Sequence, residues 1–180
     1  MTDLLLDSPR LTIPVGDRDH VRGPATAPLT LVEYGDYECP YCGAAHAEVK
    51  RVLEELEDDL RFAYRHFPVT TIHPLAFQAA EAAEAAAPEG RFWEMHDTLF
   101  ENQDRLGFQD LVAYARALGL DLDAFVGELQ HHVHAPRVRE DFMSGVRSGV
   151  NGTPTFFING VRHNGGWDAD SLLVALDASR

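Results

Sequence analysis

Cys39-Pro40-Tyr41-Cys42 holds the only two cysteines in 180 residues. Two thiols separated by two residues can close a disulfide within one turn of chain. They can reopen it by thiol–disulfide exchange, so the pair can carry two electrons and two protons. The competing use of such a pair is half of a zinc site, which needs a second cysteine pair or a well-spaced histidine pair. No second CxxC exists. This one begins a predicted helix after a predicted strand, which is the context of a redox motif.

The elements that must position the pair are legible on both sides of it. Leu29 to Tyr34 is a compact, β-branched apolar run and reads as a buried central strand. Gly35-Asp36-Tyr37-Glu38 turns the chain into the cysteines. Ala45, Val49, Val52, Leu53 and Leu56 then recur at helical spacing, which predicts a helix from Pro40 to about Glu57. Pro40 suits the first helical turn, where its missing N–H is no loss. Cys39 thus sits at a helix N-terminus, where free N–H groups and partial positive charge favour the thiolate. Cys39 is assigned as the exposed nucleophile and Cys42 as the resolving thiol.

Two further positions could join the chemistry. Glu33 stands inside the buried strand, six residues before Cys39. If its carboxyl is desolvated, its pKa rises toward neutrality and it can take the Cys42 proton during exchange. If it points outward from a strand edge, it is merely solvated. Thr153-Pro154, in a Gly-Thr-Pro-Thr setting, is a candidate cis bond. A cis bond would turn the Thr153 N–H and C=O sideways, toward an extended peptide added as a strand. An ordinary trans proline is the alternative. His131, His132 and His134 suggest metal by composition, but no cysteine or carboxylate is spaced to match, so they read as a solvated helix end. His46 reads as a partly buried helix histidine, and Arg65, His66 and His73 have no role that spacing assigns.

Along the rest of the chain, Leu11, Ile13 and Val15 could form a short strand in an N-terminal arm over residues 1–26. Leu60 to Phe67 reads as a second strand ending at Pro68. Residues 76–149 carry five helical patterns, and the alanine- and glutamate-rich run from 76 to 87 is the first. Pro154 to Ile158 returns to strand. Asn159-Gly160 signals a hairpin to Val161-Arg162-His163, and Asp168 or Asp170 can cap a last helix. The plan is α/β: residues 27–75 and 150–180 build a central mixed sheet flanked by helices, interrupted by a helical insertion at 76–149.

Composition limits what such a plan can do. Hydrophobic residues make up 45% and charged residues 24%, which is ordinary for a globular domain. The formal net charge of −14 repels phosphate backbones and anionic lipid, so no nucleic-acid or membrane partner is expected. The start Met1-Thr2-Asp3-Leu4-Leu5-Leu6 lacks a basic region and a long apolar run, so a cytoplasmic location is expected. Disulfides there are usually transient and catalytic. No cofactor and no metal are expected.

The chain resembles the DsbA-like thioredoxin-fold oxidoreductases, in the cytoplasmic-type branch. The matching residues run from Leu31 to Cys42, then Arg65-His66-Phe67-Pro68, then Phe92-Trp93-Glu94-Met95-His96, then Gly149 to Gly160. The resemblance implies a thioredoxin fold whose helical insertion caps the site. It implies Cys39 as nucleophile, Cys42 as resolving thiol, Glu33 as buried acid and Pro154 as a cis proline opposite the disulfide. Pro40, Tyr41, Thr153 and Pro154 would meet substrate. The implied function is exchange of disulfides with protein or small-molecule thiols, with a recycling partner. The alternatives are a glutathione-dependent, kappa-class transferase or isomerase-like enzyme, which usually places serine at the reacting position, and a non-catalytic redox-sensing module.

One residue departs from the most oxidising members, which carry histidine between the cysteines. Tyr41 stands there in this chain. Without that histidine the Cys39 thiolate loses a stabiliser, and low thiolate pKa tracks with oxidising power. Titration of Cys39 by thiolate absorbance should therefore give a pKa well above that of the most oxidising members. A value as low as theirs would contradict a milder potential.

Overall fold

The computed structural model describes residues 8–180. A five-stranded mixed sheet has the order β1-β3-β2-β4-β5, with β1 at His20–Arg22, β2 at Leu29–Gly35, β3 at Leu60–His66, β4 at Thr155–Ile158 and β5 at Val161–His163. Leu29, Leu31, Val32 and Tyr34 of β2 are fully buried, as expected of the apolar positions of a central strand. Antiparallel pairing with β4 sets Glu33 opposite Phe156. β4 and β5 form the expected hairpin. Asn159 and Gly160 both have positive φ, 46° and 80°, which a two-residue turn of the favoured twist demands. The helices are α1 (Pro40–Leu56), α2 (Ala76–Ala86), α3 (Phe92–Glu101), α4 (Phe108–Ala117), α5 (Leu122–Gln130), α6 (Ala135–Arg147) and α7 (Ala169–Asp177).

The chain forms two compact units. The first takes the described residues up to Tyr34 together with Ala44–Arg65 and Met143–Arg180; the second is Gly35–Gly43 with His66–Phe142. In the second unit, α2 packs against α3, α4 and α5. Its buried residues are mostly alanine, among them Ala79, Ala82, Ala83 and Ala86, and their small side chains let neighbouring helices approach closely. Asp121 caps α5 by accepting from Ala124 N at 3.1 Å, as its type suggests.

In the first unit, a strand over Leu11, Ile13 and Val15 does not form. The first strand among the described residues is His20–Arg22. Pro9 and Pro14 have no N–H to give a ladder, and the carbonyls of Ile13 and Pro14 accept instead from the Arg65 guanidinium, at 2.9 and 3.3 Å. The arm also covers the β5 edge: Leu11 N donates to Gly160 O and Arg162 N to Pro9 O. An edge so occupied is a poor template for another chain.

Arg65 is the centre of this polar network. It is buried, and its guanidinium pairs bidentately with Asp19, at 2.8 and 3.0 Å. It also donates to Tyr34 Oη at 3.0 Å, so that, with the two carbonyls, all its donors are used. Burial works to lower the Arg65 pKa, but the Asp19 hydrogen bond and the Tyr34 and Asp19 electrostatics raise it, and the net displacement is upward. Tyr34 Oη continues the chain of bonds to Ser144 Oγ in α6, at 2.8 Å. Removing Arg65 takes the bidentate cation away from Asp19, whose side chain is buried and also accepts from Gly16 N at 3.0 Å. Arg65→Ala should cost about 3–5 kcal/mol of stability in urea unfolding. A loss below about 0.5 kcal/mol would show that the network is not structural.

Candidate active site

Helix α1 begins at Pro40, so Cys39 occupies the residue before the first turn and Cys42 lies within that turn. Gly43 N donates to Cys39 O at 3.1 Å, closing the first helical hydrogen bond. Two side chains hold this start in place. The Asp36 carboxylate accepts from the amides of Glu38 (2.8 Å) and Cys39 (3.2 Å) through Oδ1. Gln103 Nε2 donates to the carbonyls of Tyr37 (3.0 Å) and Cys39 (2.8 Å). Gln103 lies so close to Gly43 that a Cβ there would stand 2.0 Å from its Oε1. Gly43 is therefore needed for this approach of the Gln103 side chain to the motif.

Both cysteines are present as thiols and both are buried, Cys39 at 3% and Cys42 at 0% exposure. The expectation of an exposed Cys39 is thus corrected. Its amide and carbonyl are covered by Asp36 and Gln103, and little of the residue is left open. Tyr41, by contrast, is 65% exposed, and Pro40 is exposed beside it. The surface of the motif is these two residues rather than the sulfur.

The other residues singled out in the sequence fall as follows. Glu33 is buried in β2, between β3 and β4, so it is not a solvated edge residue. The Thr153–Pro154 bond is cis and both residues are half-buried. Pro154 lines a hollow of about 210 Å³ with Phe156, Arg162, His163 and Trp167. His46 is buried on α1. The three clustered histidines have separate partners: His131 Nδ1 lies 2.8 Å from Gly127 O, His132 Nδ1 3.1 Å from Glu81, and His134 Nε2 2.6 Å from Glu128. They do not converge on one point.

Sequence reasoning passed over Asp36, His73 and Gln103. An Asp in a turn commonly accepts from the amide two residues on, and Asp36 with Glu38 N is such a case, so a turn-based signal was present. Gln103 comes from a distant segment and carries no such signal.

One buried cluster could in principle hold a metal ion. Ligand atoms of His66, Glu84 and Asp141 lie within 4.8 Å of one another. They already bind each other: His66 Nε2 to Glu84 Oε1 at 2.8 Å, and His66 N to Asp141 Oδ2 at 3.1 Å. Arg137 Nε stands 3.4 Å from Asp141 Oδ1. The group has the form of an internal polar network. Burial pushes the Asp141 carboxyl above its ordinary range, against the pull of His66 and Arg137. The folded state therefore holds that proton to a higher pH than the unfolded state does. Stability from this group is lost as pH rises from the unfolded value, about 3.9, through the raised folded one. Asp141→Asn keeps an acceptor for His66 N and removes the titration. The stability difference, wild type minus variant, should fall with rising pH in urea unfolding from pH 4 to 8. A constant or rising difference would contradict the displacement.

Comparison with known proteins adds the following. A family model described as thioredoxin matches residues 16–178. A Na(+)/H(+) antiporter NhaA 1 of Salinispora arenicola is 49% identical over 170 residues. That match covers 94% of this chain and 26% of the antiporter, so the chain spans about a quarter of the length of the curated relatives it matches. Among solved structures, BdbD from Bacillus subtilis in its oxidised form aligns with TM-score 0.82 at 23% identity, covering 96% of each chain. A thioredoxin-like oxidoreductase from Silicibacter pomeroyi aligns with TM-score 0.78 at 29% identity, covering 92% of this chain and 94% of its own. Among the described residues, no helix is long and apolar enough to cross a membrane.

Proposed function

Because the chain belongs to the thioredoxin family and has its DsbA-like fold, we propose that it is a thiol–disulfide oxidoreductase acting on protein or small-molecule thiols and disulfides. The observation that carries this reading is the placement of the chain's only cysteines at the start and in the first turn of α1. In the reducing direction, the Cys39 thiolate attacks one sulfur of a substrate disulfide. A Cys39–substrate disulfide forms and the other substrate thiolate leaves. Cys42, deprotonated, then attacks the Cys39 sulfur, and the second substrate thiolate leaves. The substrate gains two electrons and the protein ends as the Cys39–Cys42 disulfide. The reverse sequence oxidises a substrate dithiol.

Glu33 is our assignment for the group that takes the Cys42 proton, and its burial in β2 supports the choice. Thr153 and Pro154 are our assignment for the ledge that meets an extended substrate, supported by their half-buried position and by the hollow that Pro154 lines. Tyr41 and Pro40 offer the exposed surface of the motif to the same substrate. A recycling partner must restore the pair after each turnover. We place the reaction in the cytoplasm, supported by a cysteine inventory that holds a redox pair and no disulfide framework. The intact pair argues against a kappa-class transferase, which usually reacts through serine.

A second reading is favoured by one finding: the same stretch makes up about a quarter of proteins named Na(+)/H(+) antiporter NhaA. In that reading the pair senses redox state for a transporter. The net charge disfavours binding to anionic lipid, but it does not oppose a covalent or docked attachment to a membrane protein.

Insulin reduction with dithiothreitol separates the readings. We expect the protein to accelerate it and Cys39→Ser to abolish the acceleration. Activity that survives Cys39→Ser points to the transferase class. A disulfide that forms reversibly without turnover points to the sensor.

A further inference from the structure

We infer that Asp36, held by His73, sets the redox potential of the Cys39–Cys42 pair. The inference rests on the reading that this pair exchanges disulfides. Asp36 is fully buried, and its carboxylate accepts four hydrogen bonds. Oδ1 takes the amides of Glu38 and Cys39. Oδ2 takes the Val69 amide at 2.8 Å and faces His73 Nδ1 at 2.8 Å. A carboxylate offers only acceptors, so the imidazole N–H is the donor in the last contact.

This arrangement works against the helix. A bare helix N-terminus presents free N–H groups and roughly half a positive charge, and it favours a thiolate placed there. Here the Cys39 amide is already engaged, and a whole negative charge lies within hydrogen-bond distance of it. A thiolate forming at Cys39 meets a like charge in buried surroundings, where repulsion is weakly screened. Asp36 thus disfavours the thiolate of the reduced form. A disulfide protein is a strong oxidant when its reduced form is stabilised, so Asp36 moves the pair in the reducing direction. The His73 N–H partly offsets the carboxylate charge. Glu38, next to Cys39, carries a charge of the same sign, but its carboxylate is turned to the Leu75 amide, at 2.7 Å in an exposed contact, where solvent screens it.

The test is equilibration with mixtures of reduced glutathione and glutathione disulfide at pH 7. The protein dithiol loses two electrons and becomes the Cys39–Cys42 disulfide, while one glutathione disulfide becomes two glutathione thiols and takes up both protons. The oxidised fraction is read by alkylation and intact mass. Asp36→Asn keeps the acceptor toward Cys39 and removes the charge. Its equilibrium constant for oxidation should fall about tenfold, a potential less negative by about 30 mV. His73→Leu removes the donor and leaves the charge, so its constant should rise. Thermal unfolding of both redox forms checks each fold, and if Asp36→Asn does not fold, the rise in His73→Leu decides alone. Opposite shifts are a signature that structural damage does not produce. Shifts in the same direction, or none beyond twofold in either variant, overturn the inference. A wild-type pair that does not equilibrate with glutathione overturns the underlying reading instead.

Discussion

The start of α1 is under strict constraint, because a helix end leaves backbone donors without intrahelical partners and a redox motif needs that same end. Here the Asp36 carboxylate accepts from the Glu38 and Cys39 amides that lead into the helix and also fastens the segment from Val69 to His73 to the same point. Gln103 closes the other side by binding the Tyr37 and Cys39 carbonyls. The four residues Cys39-Pro40-Tyr41-Cys42 are therefore held by groups that do not react. Pro40 has no N–H, which leaves the first turn one donor fewer to satisfy, and a single carboxylate oxygen meets the Glu38 and Cys39 amides that lead into it. What remains open is Tyr41 and Pro40, a ring and a pyrrolidine beside buried sulfur.

A buried charge does different work in the first unit. Arg65 uses every donor of its guanidinium on Asp19, Tyr34 and two carbonyls of the N-terminal arm. The arm then occupies the β5 edge. Such a buried pair is weak as a source of net stability but strong as a constraint, since losing either partner leaves the other uncompensated. The chain therefore spends its polar burial on position: Arg65 fixes an arm to a sheet, and Asp36 fixes a loop to a helix start.

Much of this plan can be read from the residues. The apolar run of β2, the helical spacing after Cys42, the Asn159-Gly160 turn and the Asp121 cap each carry a local rule, and each element forms where its rule puts it. The rules fail where the partner is distant. Leu11, Ile13 and Val15 alternate as a strand would, but two prolines and the hydrogen bonds from Arg65 to the Ile13 and Pro14 carbonyls take the arm elsewhere. Arg65, His66 and His73 were silent in sequence because Asp19, Glu84 and Asp36 lie 18 to 46 positions away. Burial of Cys39 was missed for a similar reason: a helix N-terminus suggests an open sulfur, while the covering side chain, Gln103, comes from 64 residues on.

Both proposed readings rest on the same chemistry, in which one cysteine attacks and the other resolves. That division of labour is the central claim, and burial of both thiols makes it worth direct proof. The measurement is intact mass after brief exposure to glutathione disulfide, comparing Cys42→Ala with Cys39→Ala. The account predicts a single glutathione adduct on Cys42→Ala, through Cys39, and almost none on Cys39→Ala. Equal labelling of the two variants, or faster labelling through Cys42, would contradict it.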